Sequence, residues 1–305
     1  MTPTIVPGSQ PTSPSRRHHR GPLLAVLAVL STMLVACAER PQGLPEEPPA
    51  EPAPLRLSIL HCGELVLADP APFNITTEEA GRLDMVVPCY LIEHPDGTLL
   101  WDLGLPFGVQ TGEYKMQGAE LRLERTVEEQ LAERGLTPAD IDYVAMSHLH
   151  FDHCGQANAF AGSHHLIQRA EHSAGFGEDG AAVAFFERQH YEALADSETT
   201  LLDGRHDVFG DGRVVIHPAP GHTPGHQVLF VDLEETGPVV LSGDLYHFAA
   251  NRELQRAPVF NFDQEQTIAS MQAVEQLLAD TGAELWIQHD AGQAEERRWF
   301  PDSYR

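Results

Sequence analysis

The chain of 305 residues carries 19 Lys and Arg against 45 Asp and Glu, a formal net charge of −26. That balance excludes a phosphate-backbone partner, because nucleic-acid binders need a basic face to release counterions, and it excludes a polybasic membrane contact. With 42% apolar and 21% charged residues, a packed core is expected and disorder throughout is excluded. Seventeen histidines stand out among so few basic residues, since histidine is the commonest metal ligand.

In chain order, the first twenty residues are rich in Pro, Ser and Thr and end in Arg16-Arg17-His18-His19-Arg20. Residues 23–35 follow as an apolar stretch broken only by Ser31 and Thr32. A helix needs about 20 apolar residues to span a bilayer, so this stretch is too short and fits the core of a secretory signal peptide over 1–36. It runs into Leu34-Val35-Ala36-Cys37, which resembles the lipobox of bacterial lipoproteins and implies a lipid on Cys37 after cleavage. Ala38, rather than Asp, follows the cysteine, and by the same resemblance this points to the periplasmic face of the outer membrane. A plain signal peptide with an unrelated cysteine is the alternative. Loss of 1–36 removes three arginines and no acid, leaving 16 basic against 45 acidic residues, or −29. Residues 37–54 are mostly Pro, Glu and Ala and read as an extended tether. The folded domain is expected over 55–305.

Strands are expected at 55–60, 86–92 and 98–102, the last two joined by the turn His94-Pro95-Asp96-Gly97 as a hairpin. Thr126 with Glu129 three residues on forms a capping box that opens a helix through Val127 and Leu131, ended by Gly135. A short apolar strand at 141–146 leads into a histidine-rich loop. Further short strands are expected at 166–168, 214–216, 228–231 and 239–241. Asp263 caps a longer helix with the apolar face Ile268, Met271, Val274, Leu277 and Leu278, closed by Gly282, and a last strand covers 285–287. Strands in runs with occasional helices suggest packed sheets with helices outside. Cys62 and Cys89 lie in apolar, strand-like runs and either pair or stay as two buried thiols.

The chemistry concentrates in Ser147-His148-Leu149-His150-Phe151-Asp152-His153-Cys154-Gly155, just after a strand. His148 and His150, two apart in an extended segment, project to one side and can share a metal, while Asp152 and His153 at the following turn suit a second. Three further pieces fall at strand ends: Pro220-Gly221-His222-Thr223-Pro224-Gly225-His226, Ser242-Gly243-Asp244 and Gln288-His289-Asp290.

These four pieces, in this order, resemble the metallo-β-lactamase superfamily over roughly residues 57–291. The resemblance implies a four-layer αββα sandwich with the site at one edge of the two sheets. It implies that His148, His150 and His222 hold one metal, that Asp152, His153 and His289 hold a second, and that Asp244 bridges them. A nitrogen and oxygen donor set without thiolate suits two Zn2+, and Fe, Mn or Co fit the same set. Asp102, in Trp101-Asp102-Leu103-Gly104, matches a family position that supports the ligands from behind. Cys154 reads as a packing residue and His226 as structural. Two metals about 3.5–4 Å apart hold a hydroxide at neutral pH. Asp152 can then pass a proton to the leaving oxygen.

Within the superfamily, the 145–155 segment, Gln168-Arg169-Ala170-Glu171 and Val87-Pro88-Cys89-Tyr90-Leu91-Ile92 resemble the N-acyl-homoserine lactone lactonases. That implies a quorum-quenching hydrolase acting on a small lactone, with no nucleic acid and no protein partner. One departure concerns a tyrosine that lactonases carry three residues after the bridging Asp to contact the lactone carbonyl. Here that position is His247 and Tyr246 precedes it, so either is a candidate donor to the developing oxyanion. The alternatives are an ester or thioester hydrolase of the same fold, like glyoxalase II, and a zinc-binding lipoprotein without turnover.

Overall fold

The structure is a computed structural model that describes residues 54–177 and 183–305. The signal sequence, Cys37 and all of the tether but Pro54 lie outside the described residues.

Two sheets form the centre. The first has seven strands: β1 (Arg56–Leu67), β2 (Asp84–His94), β3 (Gly97–Trp101), β4 (Ala119–Arg122), β5 (Tyr143–Ala145), β6 (His164–Gln168) and β7 (Thr199–Leu202), in the order β4-β1-β2-β3-β5-β6-β7. The second has five: β8 (His206–Asp207), β9 (Val214–Pro218), β10 (Gln227–Leu233), β11 (Gly237–Leu241) and β12 (Glu284–Trp286), in the order β12-β11-β10-β9-β8. Among the described residues eight α-helices accompany them: α1 (Thr77–Ala80), α2 (Phe107–Thr111), α3 (Val127–Glu133), α4 (Phe151–Cys154), α5 (Arg169–Phe176), α6 (Ala249–Leu254), α7 (Gln264–Thr281) and α8 (Ala291–Glu295).

Alternation along β2 explains the layering. Tyr90 and Ile92 face inward, packing with Leu57, Ile59 and Trp101 against Val214, Ile216, Leu229, Val239 and Trp286 of the second sheet. Val87, Cys89 and Leu91 face the other way, under Val127 and Leu131 of α3. Both faces are covered, so the strand reads as one continuous apolar run. On the far side, Met271, Val274 and Leu278 of α7 cover Val228, Val240 and Leu285 of the second sheet. This is the expected αββα order.

The caps sit where the sequence placed them. Thr126 Oγ1 accepts from Glu129 N at 3.1 Å while Glu129 returns a carboxylate oxygen to Thr126 N at 2.8 Å. Asp263 accepts from Gln266 N at 2.9 Å, and Gly282 ends α7 in a left-handed conformation at φ 70°. The hairpin register pairs Tyr90 with Trp101 and His94 with Gly97. β1 runs seven residues past its expected end at Leu60, because an irregularity between His61 and Glu64 lets it turn and pair with β4. The open question on the cysteines resolves to a Cys62–Cys89 disulfide between β1 and β2.

Candidate metal centre

All seven candidate ligands leave the ends of strands on one edge of the sandwich. His148, His150, Asp152 and His153 follow β5, the last two in α4. His222 lies in the β9–β10 loop, Asp244 follows β11 and His289 follows β12. All seven are buried. Their ligand atoms fall into two groups: His148, His150, His222 and Asp244, and Asp152, His153 and His289, with the atoms of each group within 4.8 Å of one another.

The sixth candidate ligand in chain order joins the groups. Asp244 Oδ2 lies 3.3 Å from His222 Nε2 and 3.6 Å from His148 Nε2. Its Oδ1 lies 3.1 Å from His153 Nε2 and 2.9 Å from His289 Nε2. Asp152 Oδ2 stands 3.6 Å from His289 Nε2 and 3.8 Å from His153 Nε2.

The tautomers follow from what each ring touches on its other side. His222 Nδ1 faces Asn261 Oδ1 at 2.9 Å, His289 Nδ1 faces the Val86 carbonyl at 2.7 Å, and His153 Nδ1 faces Asp102 Oδ2 at 3.0 Å. Each partner is an acceptor, so each Nδ1 donates and each Nε2 turns a lone pair inward. Those inward nitrogens approach one another closely: His222 Nε2 lies 3.2 Å from His148 Nε2, and His153 Nε2 lies 3.2 Å from His289 Nε2. Converging lone pairs repel unless a cation sits among them, so this donor set fits metal ions and is poorly explained without them.

The buried charges act differently on the individual ligands. Burial, then neighbouring His153 and His150, hold His148 well below the usual imidazole range. Burial and His222 do the same to His150. At His153 burial is outweighed by Asp244, Asp102 and Asp152, which raise it. Asp244, although buried, is pulled well below the carboxylate range by His247, His153, His289 and His148.

The scaffold behind the ligands is specific. The Asp102 carboxylate accepts from Ser147 N at 2.6 Å, from His153 Nδ1 at 3.0 Å and from Gln288 Nε2 at 3.0 Å, as the supporting position should. Asp102 adopts φ 58°, a left-handed conformation that Asp and Asn tolerate. His226 is structural: its Nδ1 donates to the Ala219 carbonyl at 3.0 Å, and its Nε2 accepts from Asp244 N at 2.9 Å, which fixes the bridging residue. Gly243 is required there, at φ 48°, because a Cβ would lie 2.6 Å from both His226 Nε2 and Ser147 Cβ. Cys154 is buried and free, its sulfur 3.4 Å from the Leu149 carbonyl, as a packing residue.

The two oxyanion candidates part company. After the turn at Gly243–Leu245, Tyr246 is extended, so it and His247 point to opposite sides. Tyr246 turns away from the site. It is fully buried under α7, its hydroxyl 3.1 Å from Glu275 Oε1. The expectation of Tyr246 as a candidate donor to the oxyanion is therefore corrected: its ring packs on Val228, Val240 and Leu285 of the second sheet. His247 faces the site, with Nε2 2.9 Å from Asp244 Oδ2 and Nδ1 buried without a partner. Two contributors escaped the sequence reading: Asn261, which orients His222 from 39 residues away, and buried Glu171. Asn261 belongs to no local motif, and the Gln168–Glu171 run contains Glu171 without indicating what its carboxylate holds.

A cavity of about 330 Å3 opens onto the two groups. His150, Asp152, Asp244, His247 and His289 form its polar end; Leu65, Leu67, Phe73, Met85, Phe185 and Phe260 line the apolar remainder.

This sandwich with paired His/Asp groups at one edge is a metal-dependent hydrolase architecture. The profile of the metallo-beta-lactamase superfamily matches residues 83–281, and the chain belongs to that superfamily. Its similar proteins include an N-acyl homoserine lactonase from a Bacillus species, 30% identical over 261 residues that span 81% of this chain and 98% of that protein. The N-acyl homoserine lactonase AttM of Azorhizobium caulinodans is also 30% identical, over 77% of this chain and 93% of its own. Among solved structures, an N-acyl homoserine lactone hydrolase with the product N-hexanoyl-L-homoserine bound at its catalytic metal centre superposes with a TM-score of 0.70. The two are 26% identical, over 82% of this chain and 98% of that one.

Proposed function

We propose that the protein is a dinuclear zinc lactonase that opens the ring of N-acyl-homoserine lactones to the hydroxy acid, removing a diffusible signal. The observation that carries this reading is the Asp244 carboxylate, one oxygen on each ligand group, at one end of a mainly apolar cavity. The lactonase relatives aligned over most of both chains support the substrate class.

His148, His150 and His222 would hold one ion, Asp152, His153 and His289 the other, and Asp244 both. When bound, two such ions lower the pKa of water to about 7 and polarise a carbonyl oxygen. The chain supplies the rest. The apolar walls take the acyl group and exclude bulk water, which strengthens every polar contact at the ring. His247 stands beside Asp244 as the side chain placed to contact the carbonyl oxygen. Asp152 accepts one proton of the attacking water and returns it to the ring oxygen as the acyl C–O bond breaks, leaving an alcohol and a carboxylic acid, which releases its own proton to solvent at neutral pH.

A hydrolysis panel tests the substrate: acyl-homoserine lactones of several chain lengths beside thioesters, a cephalosporin and aryl esters. Lactones should be preferred, and activity no better than on aryl esters would displace the proposal in favour of a general esterase. Metal analysis should return two zinc ions per chain. We also propose export and lipid anchoring through Cys37, supported by the apolar stretch and Leu34-Val35-Ala36-Cys37. A Cys37→Ser protein that still partitions with membranes would refute it.

A further inference from the structure

The carboxylate of Glu171 lies outside both ligand groups, yet it joins two of the chain segments that carry the first. Glu171, in α5, is 1% exposed. Its Oε1 accepts from the backbone N–H of Leu149 at 2.9 Å, the residue between His148 and His150. Its Oε2 accepts from Thr223 Oγ1 and from Gly225 N, both at 2.8 Å, in the loop that presents His222. Gly225 packs so closely on α5 that a Cβ there would lie 2.4 Å from Glu171 N. One buried carboxylate therefore fixes the rotation of the His148–His150 segment and the approach of the His222 loop together. The second group is held by other means, with Asp102 behind His153 and the Val86 carbonyl behind His289.

We propose that Glu171 is a positioning residue for the first metal group alone, setting the separation of His148 and His150 from His222 without touching metal or substrate. The proposal rests on the reading of those three histidines as one metal group. Without the carboxylate, two buried backbone N–H groups lose their acceptor, and the two segments are free to drift apart. Loss of such an outer partner weakens metal binding by about 10–100-fold. Here the loss falls on one ion of the two.

The test loads wild type, Glu171→Ala and Glu171→Gln with Co2+ and follows the ligand-field spectrum during graded chelator competition. Wild type should release two ions at closely spaced chelator concentrations. Glu171→Ala should release one ion at least tenfold more readily and hold the other at the wild-type concentration. Glu171→Gln keeps a carbonyl acceptor for one N–H but sets an amide donor against the other segment. It should fall between the two, and it carries the test if Glu171→Ala does not fold. Equal weakening of both ions, or no weakening of either, would overturn the proposal. A wild-type protein that binds no Co2+ would instead overturn the metal reading on which it rests.

Discussion

Asp102→Asn isolates the tautomer logic of the second metal group. Asparagine matches aspartate in size and also accepts the left-handed conformation at φ 58°, so the backbone has no reason to move. The hydrogen-bond inventory does change. Asp102 Oδ1 receives Ser147 N at 2.6 Å, and Oδ2 receives His153 Nδ1 and Gln288 Nε2, both at 3.0 Å, and Ser147 Oγ at 3.2 Å. An amide nitrogen in the Oδ1 position would set a donor against Ser147 N, at a cost of about 1–3 kcal/mol for the buried conflict. In the Oδ2 position it would push His153 into the tautomer that protonates Nε2, the nitrogen facing Asp244 and His289. That nitrogen can then bind metal only after the proton moves back. The expected result is about 10–100-fold weaker binding of one ion, equal to roughly 1.4–2.7 kcal/mol, with the other ion unaffected. Chelator competition measures the affinity, and the 15N shifts of His153 report the tautomer. An Asn variant that keeps wild-type affinity for both ions, or loses the ion of the His148 group instead, would refute the reasoning.

Tyr246→Phe should leave kcat and KM for a lactone within about twofold, because its hydroxyl bonds Glu275 across α7; a large fall in kcat would return Tyr246 to the site. Replacing Cys62 and Cys89 with alanine removes a cross-link between residues 27 apart in sequence. This should lower unfolding free energy by about 3–4 kcal/mol on the loop-entropy estimate, read by denaturant melts with and without reductant. His165 is buried with both ring nitrogens unpartnered, and burial, with His172 and His164 nearby, lowers its pKa to about 3. The unfolded chain takes up this proton near 6.5 and the folded protein does not, so stability present above 6.5 falls by roughly 1.4 kcal/mol per unit as pH drops toward 3. His165→Leu should flatten that slope by one proton, as melts between pH 7 and pH 5 would show.

The ligand set was legible because the chemistry sits in short motifs, each just after an apolar strand, where a strand end leaves side chains free to converge. Helix ends were legible for a similar reason, since Thr126 with Glu129 and Asp263 with Gly282 act within one turn. What escaped depends on distance or on local rotation. Asn261 and Glu171 meet the site only through packing of segments 39 and 22 residues or more away. The choice between Tyr246 and His247 turned on the phase of the chain leaving Gly243–Leu245, which no alternation rule supplies. The cysteine pairing depended on the irregularity between His61 and Glu64, because register decides which residues of β1 and β2 stand across from each other. β4, β7 and β8 are short and polar or half-buried edge strands, with too little apolar pattern to announce themselves.

Each ligand group draws on both sheets: the residues after β5 come from the first, and His222, Asp244 and His289 come from the second. An ion seated in either group would thus work as a rivet through the sandwich as well as a reagent. A ligand that binds only the folded state adds about 2.7 kcal/mol at a hundred times its dissociation constant, and two ions would add their shares together. The lifetime of the fold would then follow the free metal concentration around it. In metal-poor surroundings the protein would lose that increment of stability along with its activity.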